Sequence, residues 1–199
     1  MDEMLEFRKN ALQGVVTKQP LCKEYRMEWM KSLNDKEKLV TLVMRQQSCP
    51  YFAHHCYTGG GLSRDYILRN FGEYINGYTI KDADCVEGYT YGLYVGYDYN
   101  NEIVMNKDVA HIMWTVGVDV VVPKTKCPTI YVSNKSDITL IGDGYNNARV
   151  YLFDESTVTI NDIDEESEIT VYKYSDKCCV KKGKFCLGKV KEFNKELRL

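Results

Sequence analysis

Cys49-Pro-Tyr-Phe-Ala-His-His-Cys56 is the one stretch in which metal-ligand side chains gather. Cys49, His54, His55 and Cys56 are donors of the kind zinc takes, and a zinc centre needs three or four of them converging as a tetrahedron. Their spacing fits neither a finger nor a ribbon, and no second CxxC pair completes a set. A helix–loop junction with buried thiols is the plainer reading, so no metal ligand is assigned. Gly59-Gly60-Gly61 precedes Ser63, a good helix N-cap, and backbone amides there could meet an anion with help from Arg64. The Gly-Lys-Ser/Thr ending of a phosphate loop is missing, and so is a preceding apolar strand, which favours a flexible connector. The remaining acid–base inventory is thin. Histidines are His54, His55 and His111 alone, and no G-x-S-x-G, H-E-x-x-H or dinucleotide fingerprint occurs. No catalytic or cofactor-binding residue is assigned.

Two further stretches have binding character. In 89–99, Tyr89, Tyr91, Leu93, Val95, Tyr97 and Tyr99 share one face of a strand, which reads as core. Tyr94 lies on the opposite face between Gly92 and Gly96 and is expected as an exposed contact that could stack on a base or sugar. Segment 154–168 holds Asp154, Glu155, Asp162, Asp164, Glu165, Glu166 and Glu168 with no basic residue. Segment 173–199 holds Lys173, Lys177, Lys181, Lys182, Lys184, Lys189, Lys191, Lys195 and Arg198. The first could mimic nucleic acid or hold Ca²⁺, although the EF-hand pattern is absent, and the second could contact phosphates. They could equally pair with one another or with a second copy, and a solvated face is the plain alternative.

The elements that carry these residues change character along the chain. Its 199 residues suit one compact domain or two packed halves, and a net charge of −2 gives no global pull toward nucleic acid. The sixteen tyrosines suit pleated surfaces and contact faces. The acidic start MDEMLEFRKN lacks the basic and apolar regions of a signal peptide, and no apolar run approaches a membrane span. A cytoplasmic location is expected, with the eight cysteines as reduced thiols, most of them in the core.

The first third has helical spacing. The expected helices are 3–13, one beginning at Pro20 with Cys22, Tyr25, Trp29 and Leu33 inward, one capped by Asn34 and running to Gln47, and one over 64–71 capped by Ser63. From Gly88 the period becomes two, and Tyr99-Asn100-Asn101 turns the chain toward Ile103–Met105.

Three later segments align: Ile130–Ser136, Val150–Ser156 and Ile169–Ser175, each with Ser at the seventh place and with starts 20 and 19 residues apart. A second short strand follows each: Ile138/Leu140, Val158/Ile160 and Lys177/Cys179, with Lys177 departing as a terminal coil facing water would. Ala110/Ile112 with Val118/Val120 forms a weaker earlier copy. A period of about twenty residues implies stacked coils, since one coil cannot bury its own apolar side. The fold expected is therefore α+β: a helical cluster over 1–76 packed on a single-stranded β-helix-like solenoid over 77–184, with a basic tail over 185–199. The helices should cover an open end or edge. An antiparallel β-sandwich is the alternative.

Phe71-Gly-Glu-Tyr-Ile-Asn-Gly77, Asp154-Glu-Ser-Thr-Val-Thr-Ile160 and Phe185-Cys-Leu-Gly-Lys-Val190 resemble stretches of small uncharacterised proteins of gut-bacterial phages and mobile elements. The resemblance runs along most of the chain and carries no catalytic motif. It implies an accessory protein acting inside a bacterial host. The function expected is a non-enzymatic protein–protein interaction or scaffold role with no cofactor and no membrane partner. Self-association could run through the solenoid end or the charged faces. The alternatives are a metal-dependent module or enzyme centred on Cys49–Cys56, and nucleic-acid binding or mimicry.

Overall fold

The computed structural model describes residue 3 and residues 23–32, 35–46, 62–81, 89–144 and 147–195. Alternating apolar and polar side chains, rich in valine, isoleucine, threonine and tyrosine, make the second half a series of short strands. These are β1 (Ile80–Lys81), β2 (Thr90–Val95), β3 (Glu102–Val104), β4 (Val109–Met113), β5 (Val116–Pro123) and β6 (Thr129–Ser133). They continue as β7 (Asp137–Asp143), β8 (Asn147–Leu152), β9 (Thr157–Asn161), β10 (Glu168–Lys173), β11 (Cys179–Lys182) and β12 (Lys189–Asn194).

Even-numbered strands from β2 to β12 lie side by side in one sheet, with β1 on its edge, and odd-numbered strands from β3 to β11 make a second sheet. Every pairing is parallel except β1 with β2. The chain thus passes from one sheet to the other and back, in about five turns of a parallel β-solenoid. A sandwich would pair its strands antiparallel, so that alternative falls.

Stacking follows the repeat, with one slip. Positions 92, 110, 130, 150, 171 and 192 lie directly on one another, giving coils of 18, 20, 20, 21 and 21 residues. The early copy is present: Ala110 stacks on Ile130, Val118 on Ile138 and Val120 on Leu140. The third copy is shifted. Val171, not Ile169, lies on Val150, while Ile169 lies on Ala148. In the other sheet Val180 and Lys182, not Lys177 and Cys179, continue the columns of Val158 and Ile160.

The interior between the sheets is dry and aliphatic. Ile112, Val118, Val120, Ile130, Val132, Ile138, Val150, Val158, Ile160, Ile169 and Val171 are all fully buried there. Each such side chain contributes roughly 1.5–3 kcal/mol relative to exposure. One column is polar, which explains the recurring serine. Thr115, Ser136 and Ser156 occupy an inside corner, joined by the backbone bonds Asp137 N–H to Thr115 O and Thr157 N–H to Ser136 O. Ser136 Oγ accepts the Thr115 N–H at 3.1 Å and donates to Ser133 O at 2.6 Å, satisfying groups that no strand partner reaches. In the last coil Cys178 takes this place, since Cys179 N–H bonds Ser156 O, and Ser175 falls outside the column.

The corner itself grows along the stack. One residue, Gly96 and then Trp114, turns the first two coils. Two, Asn134-Lys135 and Asp154-Glu155, turn the next pair, and three, Ser175 to Lys177, turn the last. Gly96, Trp114, Asn134, Lys135 and Asp154 all have positive φ, the left-handed bend that so tight a corner demands.

The described helices are α1 (Lys23–Lys31), α2 (Lys36–Gln46) and α3 (Arg64–Phe71), with a short 3₁₀ turn over Gly72–Tyr74. Ser63 caps α3 as the sequence implies, its hydroxyl accepting the Tyr66 N–H. Ahead of α2 the Asp35 carboxylate accepts the Lys38 N–H, while the expected cap Asn34 lies outside the described residues. The expected helix over 3–13 lies outside the described residues except for Glu3. Trp29, Leu39, Val40, Leu42, Met44, Ile67 and Phe71 form one apolar cluster with Tyr91, Leu93, Val95, Met113, Tyr131 and Phe153, which project from the outer face of the seven-stranded sheet. The helices therefore cover a broad face, while β1 takes the open edge of β2.

Candidate functional site

Cys49, His54, His55 and Cys56 lie outside the described residues, as do Gly59, Gly60 and Gly61. Among the described residues, no group of three or more His, Cys, Asp or Glu side chains is placed to hold a metal ion. At the start of α3, Glu3 already presents a carboxylate, which accepts the Ser63 N–H and hydroxyl at 2.9 Å each. Arg64 turns elsewhere, its guanidinium lying so close to Gly96 that a Cβ there would come within 2.8 Å of it.

Tyr94 is buried, not exposed. It points into the solenoid interior beside Tyr97, with ring centroids 5.9 Å apart, and burial pushes its hydroxyl up to about 12, with Tyr97 adding to the effect. Gly92 is small because that ring passes over it: a Cβ at Gly92 would sit 3.0 Å from both the Tyr94 ring and the Lys107 side chain. Of the residues expected to share the core face, Tyr91, Leu93 and Val95 are covered by the helices, and Tyr97 packs on the interior side beside Tyr94. Tyr89 and Tyr99, beyond the ends of β2, are exposed, so β2 itself offers no stacking platform. His111 is fully buried and stacked flat on Tyr131 at 4.5 Å, and burial brings its imidazole down to about 3, so it stays neutral. Burial likewise raises the Cys178 thiol to about 11, leaving it protonated and unreactive.

Opposite charges meet across the coils. Glu155 receives Lys177 at 3.0 Å and Lys135 at 3.3 Å, and those hydrogen bonds hold its carboxyl below the usual range. Lys191 pairs with Glu168 at 2.8 Å and Lys173 with Glu192 at 3.0 Å. The acidic and basic segments are thus partners of each other along the stack.

What they leave over sits at the C-terminal end. On the outer face of the seven-stranded sheet one column reads Leu93, His111, Tyr131, Tyr151, Tyr172 and Phe193. Its rings stack on one another at 4.5, 4.8, 4.9 and 5.5 Å from His111 to Phe193. The column begins under the helices and emerges from them: Tyr131 is 6% exposed and Phe193 43%. Beside it runs a groove of about 590 Å³, lined by Arg149, Glu166, Glu168, Thr170, Tyr172 and Lys189 among others. Arg149 is exposed and makes no ion pair among the described residues.

The last coil closes the interior with charge and leaves its edge open. Lys173 lies on Leu152, Glu192 on Val171 and Lys182 on Ile160, so apolar columns end in ionic side chains. Among the described residues, strands β11 and β12 each have a neighbour on one side only, as β3 does at the other end of the five-stranded sheet. Between them, Phe185 O and Leu187 N–H bond the backbone of Ile163, so residues 185–187 join the coil. Phe185 and Leu187 stand 55% and 65% exposed. Lys184 lies over the Phe185 ring at 5.4 Å, and Lys195 over the Tyr172 and Phe193 rings at 5.4 and 5.9 Å. Lys181, Lys182, Lys184 and Lys189 have no carboxylate within ion-pair distance among the described residues. Exposed apolar anchors ringed by free cations suit binding, not bond-making chemistry. The sequence names these lysines but misses Phe185, Leu187, Phe193 and Arg149. The alternation Lys189-Val190-Lys191 was the available signal that a strand continues there.

In comparison with known proteins, no family model, no curated protein and no solved structure matches the chain. Among the described residues no helix is long and apolar enough to cross a membrane.

Proposed function

We propose that this is a non-enzymatic interaction protein whose docking surface is the open C-terminal coil of the solenoid. One observation carries the reading: Phe185, Leu187 and Phe193 are all exposed on the coil whose backbone edge has no neighbour among the described residues. Along the rest of the stack the inward and helix-facing apolar side chains are shielded, and the other exposed large ones, Tyr89, Tyr99, Val104 and Val116, lie on the first coils without a ring of unpaired lysines. Large apolar groups left on a rigid rim are what partner binding uses, with the surrounding lysines giving orientation and encounter rate. The resemblance to phage and mobile-element proteins supports an accessory role in a bacterial host as the setting.

The test is crosslinking from host lysate followed by mass spectrometry, with Phe185→Ser/Leu187→Ser beside the unaltered protein. Both side chains are mostly solvated, so the variant should fold with unchanged circular dichroism and lose its specific crosslinks. Crosslinks that persist in the variant, or that map to residues 23–46, would remove the open coil from the role.

A further inference from the structure

We propose that the open coil captures an extended acidic segment of another protein, which adds as a further strand alongside β12. This rests on the reading above and names the partner's chemistry.

The backbone sets the geometry. Lys189 and Lys195 direct their N–H groups inward, to Ser167 O and Lys173 O at 2.8 Å each. Successive residues of a strand turn their amide groups to opposite sides, so Val190, Glu192 and Asn194 offer N–H and C=O outward, away from β10. An added strand satisfies all three.

The side chains set the chemistry, and β10 supplies the template. On its outer face β10 places Glu168 opposite Lys189, Thr170 opposite Lys191 and Tyr172 opposite Phe193. From there Glu168 pairs with Lys191, and Tyr172 stacks on Phe193 at 5.5 Å. A strand on the other side of β12 faces the same Lys189, Lys191 and Phe193, together with the free cations Lys181, Lys182 and Lys184 on the neighbouring sides of the coil. It is therefore accepted when a carboxylate reaches Lys189, which has no ion-pair partner among the described residues, a second meets Lys191 on the side away from Glu168, and a ring stands at the Phe193 position. A second copy is disfavoured, since joining two such ends sets lysine against lysine; lysine on an edge strand is the usual guard against that pairing. Nucleic acid would use the lysines but leave the outward amides of β12 unpaired.

The experiment uses the full chain and a capped, fluorescein-labelled peptide, Glu-Val-Glu-Val-Tyr-Glu, followed by fluorescence anisotropy. Saturable binding is expected, weakening steeply with salt. Binding should fall about tenfold or more in Lys189→Glu or when lysine replaces glutamate in the peptide. Two further peptides carry N-methyl groups on alternate residues. One set should abolish binding and the other spare it, because only one set of amides faces β12. Equal effects of the two sets would reduce the contact to charge alone and overturn strand addition. Oligothymidylate of equal charge binding as tightly, in competition with the peptide, would overturn it in favour of phosphate recognition. No peptide binding, with host crosslinks still dependent on Phe185 and Leu187, would sink this inference and leave the interaction role standing.

Discussion

The two ends of one aromatic column behave as different materials. Around His111 and Tyr131 the outer face of the seven-stranded sheet is roofed by helices and dry. Around Tyr172 and Phe193 the same face, in the same register, is open to water and edged with lysine. Strand alternation is alike in both regions, so the difference comes from the cover and not from the strand. A ring in this column is core or contact according to what lies over it.

The sharpest way to break that contrast is to delete a ring at each end. Tyr131→Ala should cost roughly 3–5 kcal/mol, as expected for a large buried ring, whereas Phe193→Ala should cost less than about 1 kcal/mol. Urea unfolding of the two variants reads the difference, and equal costs would show the two regions to be one.

Acid should discriminate next. His111 has its folded pKa depressed from 6.5 to about 3 by burial, so the unfolded chain binds its proton first. Its stabilising contribution is whole above pH 6.5 and is lost progressively as pH falls toward 3, at about 1.4 kcal/mol per pH unit. His111→Phe, which keeps a flat ring against Tyr131, should flatten that part of the urea midpoint's pH dependence. Phe193→His, at the open end, should add no comparable slope. A His111→Phe profile parallel to the unaltered one would count against a dry roof.

The smallest effect belongs to the ion ladder of Lys135, Glu155 and Lys177, whose groups are exposed. Glu155→Gln should lower the melting temperature slightly in dilute buffer, and the difference should vanish in molar salt. A loss that survives high salt would mean the ladder holds the corner by more than charge.

The stacking was legible because coils must repeat their apolar positions to shield one another, so Ile130 and Val150 could be matched on spacing alone. The shift at Ile169 was not, since the acidic corner before it and the Ser175 to Lys177 corner after it each gain length, and a constant period cannot register a change in a loop. Tyr94 was misread for a related reason. Glycines on both sides of a ring look like an open face, yet Gly92 is small to admit the ring inward. Alternation distinguishes the two faces of a strand but not two kinds of burial. The open coil was half legible: its lysines stood out, while the exposure of Phe185, Leu187 and Phe193 depends on where the stack stops.

The lengthening corner also fixes where this molecule could have grown. A duplicated unit slipped in between the coils turned by Asn134-Lys135 and Asp154-Glu155 would find bends of its own length above and below it. The same duplication beside Trp114 or Ser175 would meet a bend one residue shorter or longer, a step the stack makes at Thr115–Asp137 and at Ser156–Cys179 with its backbone bonds kept. New length therefore enters with least change of bend between coils that already match, Gly96 with Trp114 or Asn134-Lys135 with Asp154-Glu155.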